Sequence, residues 1–129
     1  MIIFTDDIKL LNSEMLQGFF QGWKKPKSSS EHLLILKNST YFIVAIDTDN
    51  NKVVGFITVL SDGIQSAFIP LLEVISTHRK NGIGKKLVQK VLKKFAAIPA
   101  IDLTCDPDVQ KFYEKCGMIK SVGMIIRNY

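Results

Sequence analysis

Little in this chain could hold a metal or a covalent staple. Its 129 residues include two cysteines, Cys105 and Cys116, and two histidines, with no metal-ligand spacing among them. Neither a metal centre nor a disulfide framework is expected, and the cysteines read as the reduced thiols of a cytoplasmic protein. No apolar run approaches the length needed to span a bilayer, so no membrane partner is expected. The opening segment, Met1 to Asp7, turns acidic early and has no positive start ahead of an apolar run, so no signal peptide is expected. Repeats and low-complexity segments are missing, and Ser28-Ser29-Ser30 is too short to be a linker. What is present is a single domain over residues 1–129, 47% hydrophobic and 22% charged, long enough to close one core. Its net charge of +5 favours an anionic partner, and a polyanionic cofactor and a nucleic acid both remain open at this point.

The periodicity gives an order of elements. Ile2–Phe4 reads as a first strand. Asn12 and Ser13 are N-cap residues for a helix through Met15, Leu16, Phe19 and Phe20, which Gly22 ends. Ser28 with Glu31 forms a capping box for a second helix through Leu33, Leu34 and Leu36. Residues 41–46 and 53–60 are rich in β-branched and aromatic side chains and pair as a hairpin; a third strand runs from about Ser66 to Ile75. Pro70 lies inside that strand and predicts a bulge or a missing neighbour. A long helix through Leu87, Val88, Val91, Leu92 and Phe95 follows, then a strand from Ala100 to Thr104. Asp106-Pro107 fits the N-cap and first position of a last helix through Phe112 and Tyr113, and Met118–Arg127 predicts one or two closing strands. The order is that of an α+β fold with a mixed sheet, in which a crossover helix joins two parallel strands.

One stretch organises the rest. From Leu71 to Leu87 an apolar strand breaks at a basic, glycine-containing turn and then starts the long helix. The first N–H groups of a helix lack partners, and its dipole adds positive charge there, so this turn is an anion site. Gly82 and Gly84 carry no Cβ, and Arg79, Lys80, Lys85 and Lys86 surround them with cations. A P-loop requires four residues between its first glycine and Gly-Lys-Ser/Thr, whereas Gly82-Ile83-Gly84-Lys85 has one and Lys86 replaces the hydroxyl. A dinucleotide fingerprint requires a third glycine where Leu87 stands.

Arg79-x-x-Gly82-x-Gly84 does resemble the acyl-CoA-binding motif of the GNAT family of N-acetyltransferases. Leu72-x-Val74 is similar to that family's central strand, Phe112-Tyr113-Glu114-Lys115-Cys116-Gly117-Met118 to its C-terminal signature, and the element order to its fold over essentially the whole chain. Trp23, Ser61-Asp62-Gly63 and Thr104-x-Asp106 further resemble a compact, single-domain branch. Two departures stand out. Met118 replaces the usual phenylalanine, and Phe68 and Pro70 occupy positions where several members carry an acidic or histidine base.

The resemblance implies a strongly bent mixed sheet flanked by about four helices, with acetyl-CoA as co-substrate. It places the CoA pyrophosphate on the backbone of Arg79, Lys80, Asn81, Gly82, Ile83, Gly84 and Lys85. Pantetheine then lies along Leu72, Val74 and Ser76, and Val74 N–H donates to the thioester carbonyl. Tyr113 would assist the leaving thiolate. Asp106 reads either as a cap or as a cofactor contact. For the base the chain offers Glu73, Asp62 and Asp106, or a water relay. Glu73 is expected on the face opposite Leu72 and Val74 unless a bulge at Pro70 shifts the alternation. Trp23, Tyr41 and Phe68 could line the acceptor pocket or the core. His32 and His78 read as surface residues, and the lysines beyond the first turn of the long helix as a solvated face.

The expected activity is transfer of an acetyl group to a primary amine by direct attack in a ternary complex, with a small amine or amino compound as acceptor. The alternatives are a protein or peptide acceptor, a non-catalytic acyl-CoA-binding module and, last, a nucleic-acid-binding protein on the lysine-rich helix. No nucleic acid is expected as partner. A homodimer is common in the family, and Met124-Ile125-Ile126 could supply its edge.

Overall fold

The computed structural model describes all residues, 1–129. Its strands are β1 (Ile2–Thr5), β2 (Tyr41–Asp47), β3 (Lys52–Ser61), β4 (Ser66–Phe68), β5 (Leu72–Val74) and β6 (Ala100–Asp102). The helices are α1 (Ser29–Asn38), α2 (Ile83–Lys94) and α3 (Gln110–Lys115). Strands β1, β2 and β3 form an antiparallel meander, β4 and β5 both pair β3, and β6 joins β4 in parallel. The sheet is therefore mixed, with α2 as the crossover between its parallel strands. No helix is long and apolar enough to cross a membrane.

Helix α2 buries Ile83, Leu87, Val88 and Val91 on one face of the sheet. Each such side chain contributes about 1.5–3 kcal/mol. A Cβ on Gly55 would lie 3.1 Å from Ile83 Cγ2 and 3.4 Å from Leu87 Cδ1, so β3 carries glycine where the helix approaches closest. On the other face α1, with the expected capping box of Ser28 and Glu31, packs His32 among Phe19, Phe20 and Phe56.

The expected strand from Ser66 to Ile75 is two strands. Ile57 pairs with Leu72 but Leu60 with Phe68, so Ile69, Pro70 and Leu71 span what Thr58 and Val59 span on β3. This one-residue bulge sits where Pro70 lacks an N–H. Ile69 still donates to Asp102 O at 3.0 Å; beyond it β5 stays with β3 and leaves β6.

Other expectations fail for local reasons. The helix through Met15–Phe20 is only a 3-10 turn, Ser13–Leu16, capped by Asn12. The chain then passes through left-handed conformations at Gly18, Phe20 and Gly22, which lets Phe19 and Phe20 both point inward. Three helices form rather than about four. His32 is fully buried, not a surface residue. Asp106 precedes a 3-10 turn at Pro107–Val109 but its side chain caps nothing. The closing strands are absent, and residues 119–129 are fully outside the sheet.

Candidate active site

The bulge leaves one edge of β5 open. Ile75 N–H donates to Val54 O and Leu71 O accepts from Thr58 N–H, so alternate residues 71, 73 and 75 face β3. The backbone groups of Leu72 and Val74 face the other way, toward the gap that β6 vacates. Val74 O is taken by Arg79 Nε at 2.9 Å, so this guanidinium is partly committed to the strand.

The loop after β5 passes through a 3-10 turn, Ser76–His78, and two left-handed residues, Lys80 at φ 66 and Gly82 at φ 77. Gly82 is the N-cap of α2, and no side chain caps that end. The N–H groups of Ile83, Gly84 and Lys85 therefore lack intrahelical partners, with exposed Lys80, Lys85 and Lys86 around them. The two glycines differ in role. A Cβ on Gly82 would meet nothing within 4 Å, whereas one on Gly84 would lie 3.4 Å from Phe112 Cζ and 3.7 Å from Val74 Cγ2. Gly84 serves the packing of α3 against α2 as well as access to the backbone.

Tyr113 follows on α3, half-buried, its ring edge-on to Phe112 with centroids 5.0 Å apart. It lines a hollow of about 590 Å³ with Phe68, Leu103, Thr104 and Cys105. Burial, with the neighbouring thiols of Cys105 and Cys116 adding to it, pushes its phenol up to about 12. The hydroxyl therefore stays protonated and able to donate. Burial also raises the Cys116 thiol, opposed by the nearby Lys85 ammonium.

Glu73 projects from the face opposite Val74, as strand alternation requires; the bulge does not bring it round. Both its oxygens accept from Phe20 N–H at 3.2 Å. Burial raises its carboxyl above the ordinary value, while that hydrogen bond and the Arg79 charge pull it down.

Other sequence choices are scattered. Tyr41, at the start of β2, packs by the C-terminal end of α2, donating to Asp6 at 2.9 Å beneath Lys94. Trp23 packs edge-on to Phe20, and Asp62 is consumed by the N–H groups of Ile64, Gln65 and Ser66 in its own turn. The acceptor-pocket trio of Trp23, Tyr41 and Phe68 is not assembled. Sequence reading missed the contact of His78 with Asp47, 31 residues earlier, because nothing local marks it.

A strand freed from its neighbour by a bulge and leading into an uncapped helix start at a glycine is the feature that sets this α+β fold apart from a plain mixed sheet. The sequence model of the acetyltransferase (GNAT) family matches residues 9–118, and the chain belongs to that family. It is 34% identical over 104 residues to ycf52 of Pyropia yezoensis, an uncharacterized N-acetyltransferase, covering 77% of this chain and 59% of that relative. The chain thus spans less than two thirds of that protein's length. A Deinococcus radiodurans structure solved as a candidate acetyltransferase superposes with a TM-score of 0.94 at 37% identity, over 98% of this chain and 87% of that one. A GNAT-family acetyltransferase of Streptococcus pneumoniae gives 0.79 at 26% identity, over 99% and 98%.

Proposed function

We propose that the chain is an acetyl-CoA-dependent N-acetyltransferase that moves the acetyl group to a primary amine by direct attack in a ternary complex. The observation that carries this reading is the pairing of the β5 edge, open at Leu72 and at the Val74 N–H, with the unpartnered N–H groups at the start of α2. The donors suit the substrate: N–H groups and lysines for a pyrophosphate, and a strand edge for the amides of pantetheine. Ser76, Lys80 and Asn81 lie along the path between them. Asp106, whose side chain makes no capping bond, is assigned as a polar contact to the cofactor.

In this reading the Val74 N–H stabilises the negative charge that develops on the thioester oxygen as the amine nitrogen bonds to the carbonyl carbon. The C–S bond then breaks, and the Tyr113 hydroxyl donates a hydrogen bond to the departing thiolate. With a phenol near 12, Tyr113 is a weaker acid than a thiol, so hydrogen bonding suits it better than complete proton transfer. The phosphates occupy the α2 face, so the amine approaches from the opposite face, where Glu73 projects. Glu73 takes the proton the amine releases. The compactness of the chain favours a small amine or amino compound, in the cytoplasm, over a protein acceptor.

The test is the melting temperature of the full chain with acetyl-CoA and with acetyl-pantetheine, which lacks the phosphates. A rise that needs the phosphates supports the reading by mass action. No rise with saturating acetyl-CoA would remove it.

A further inference from the structure

The loop between β5 and α2 is held by few bonds of its own. Its backbone is tied by Ile75 N–H to Val54 O at 2.9 Å and by His78 N–H to Ile75 O at 3.0 Å; the next bond, Lys86 N–H to Gly82 O, already belongs to the helix. In between, Lys80 holds a left-handed conformation that a lysine rarely adopts. Something outside the loop has to fix it.

That support comes from the β2–β3 hairpin. The His78 ring sits with Nε2 3.0 Å from Asp47 Oδ2 and Nδ1 2.8 Å from Thr77 Oγ1. A carboxylate only accepts, so Nε2 carries the proton and donates to it. In the neutral ring Nδ1 then accepts from the Thr77 hydroxyl, and the two contacts select one tautomer. Asp47 is itself held by several contacts. It is 9% exposed, paired in register with Ile2 and Lys52, and its other oxygen accepts Asp49 N–H at 3.0 Å. The hydrogen bond from His78, more than any other contact, holds its carboxyl below the usual range.

We propose that Asp47 and His78 are positioning residues, which hold the loop from Ile75 to Gly82 so that the free N–H groups of α2 meet a pyrophosphate. They touch no substrate. Asp47 lies at the rigid end of a strand pair, His78 carries that rigidity into the loop, and Arg79, the next residue, carries it on to Val74 O. One side of the loop is thus tied to the hairpin and the other to the strand that receives pantetheine. This inference rests on the acetyl-CoA reading and assigns residues that reading does not use.

The experiment is calorimetric binding of acetyl-CoA and of acetyl-pantetheine to the full chain and three variants. His78→Phe keeps a planar ring and loses the donor; His78→Gln keeps a donor; Asp47→Ala removes the acceptor from the other partner. The expected result is about a tenfold loss of acetyl-CoA affinity in His78→Phe and Asp47→Ala, with acetyl-pantetheine affinity within about twofold and most binding restored in His78→Gln. If His78→Phe does not fold, Asp47→Ala carries the same comparison. Equal binding of acetyl-CoA by the wild type and both loss variants would overturn the positioning role and leave the function standing. Parallel loss of both ligands would reduce the contact to general stability. A wild type that ignores acetyl-CoA would sink the function, and the positioning role with it.

Discussion

Glu73 and Phe20 are joined across the chain: the carboxylate of one receives the N–H of the other through both oxygens at 3.2 Å, and Phe20 is left-handed at φ 65. The same side chain therefore shapes the loop before α1 and faces the side from which an amine would come.

If Glu73 accepts the amine's proton, Glu73→Gln keeps an acceptor for Phe20 and loses the base. We expect kcat/KM to fall about a hundredfold with the melting temperature within a few degrees. The base works as a carboxylate, so wild-type activity should fall as pH drops through a value above that of an ordinary glutamate, since burial raises this group. Rates and pH profiles for both proteins test this; a variant with an unchanged acid limb would leave the proton to water.

Tyr113→Phe keeps the edge contact with Phe112 and deletes the hydroxyl. The expected loss is about tenfold to a hundredfold in kcat, with acetyl-CoA affinity unchanged. Because the phenol ionises near 12, the wild type should show no alkaline decline from Tyr113 below pH of about 11. Single-turnover rates separate this from a packing role, which would instead lower stability.

His32 is buried with both ring nitrogens unpartnered, and burial lowers it from 6.5 to about 4. The folded state prefers the neutral ring and the unfolded state gains a proton first. Stability is therefore complete above about pH 6.5 and is lost as pH falls toward 4, by at most about 3 kcal/mol. His32→Leu removes two unsatisfied polar atoms and should flatten this dependence. Urea unfolding at pH 7 and at pH 4.5 checks it; an equally steep loss in the variant would point to other groups.

The two motif glycines should respond differently to alanine. Gly82→Ala forces a side chain into φ 77 and should cost about 1 kcal/mol, with a clear loss of acetyl-CoA affinity. Gly84→Ala places its Cβ at ordinary contact distance from Phe112 and should leave stability within about 0.5 kcal/mol. Thermal melts with and without acetyl-CoA distinguish the pair.

The hairpin, the capping box at Ser28, the crossover helix and the bulge at Pro70 were legible because each depends on neighbouring residues: periodicity, a cap three residues away, a missing N–H. The glycine turn and the helix start that follows it were legible for the same reason. What escaped depends on distant partners. Phe19 and Phe20 have helical spacing, yet Glu73, 53 residues on, claims the N–H of Phe20. His32 looked like a polar residue on a helix until three phenylalanines enclosed it. The closing strands were read from apolar content, but Met124 at 99% exposure and Val122 at 98% meet no strand.

The bulge at Pro70 also sets a limit on how this fold can change. Three residues there lie opposite two on β3, and the surplus is a single amino acid of path length. Shortening the chain by that residue would bring β4 and β5 into one register along β3 and let β6 run on beside them. Such a chain would keep its core and still melt cooperatively, but its cleft would be zipped shut. In this molecule the distance between an open cleft and a closed sheet is one link of backbone.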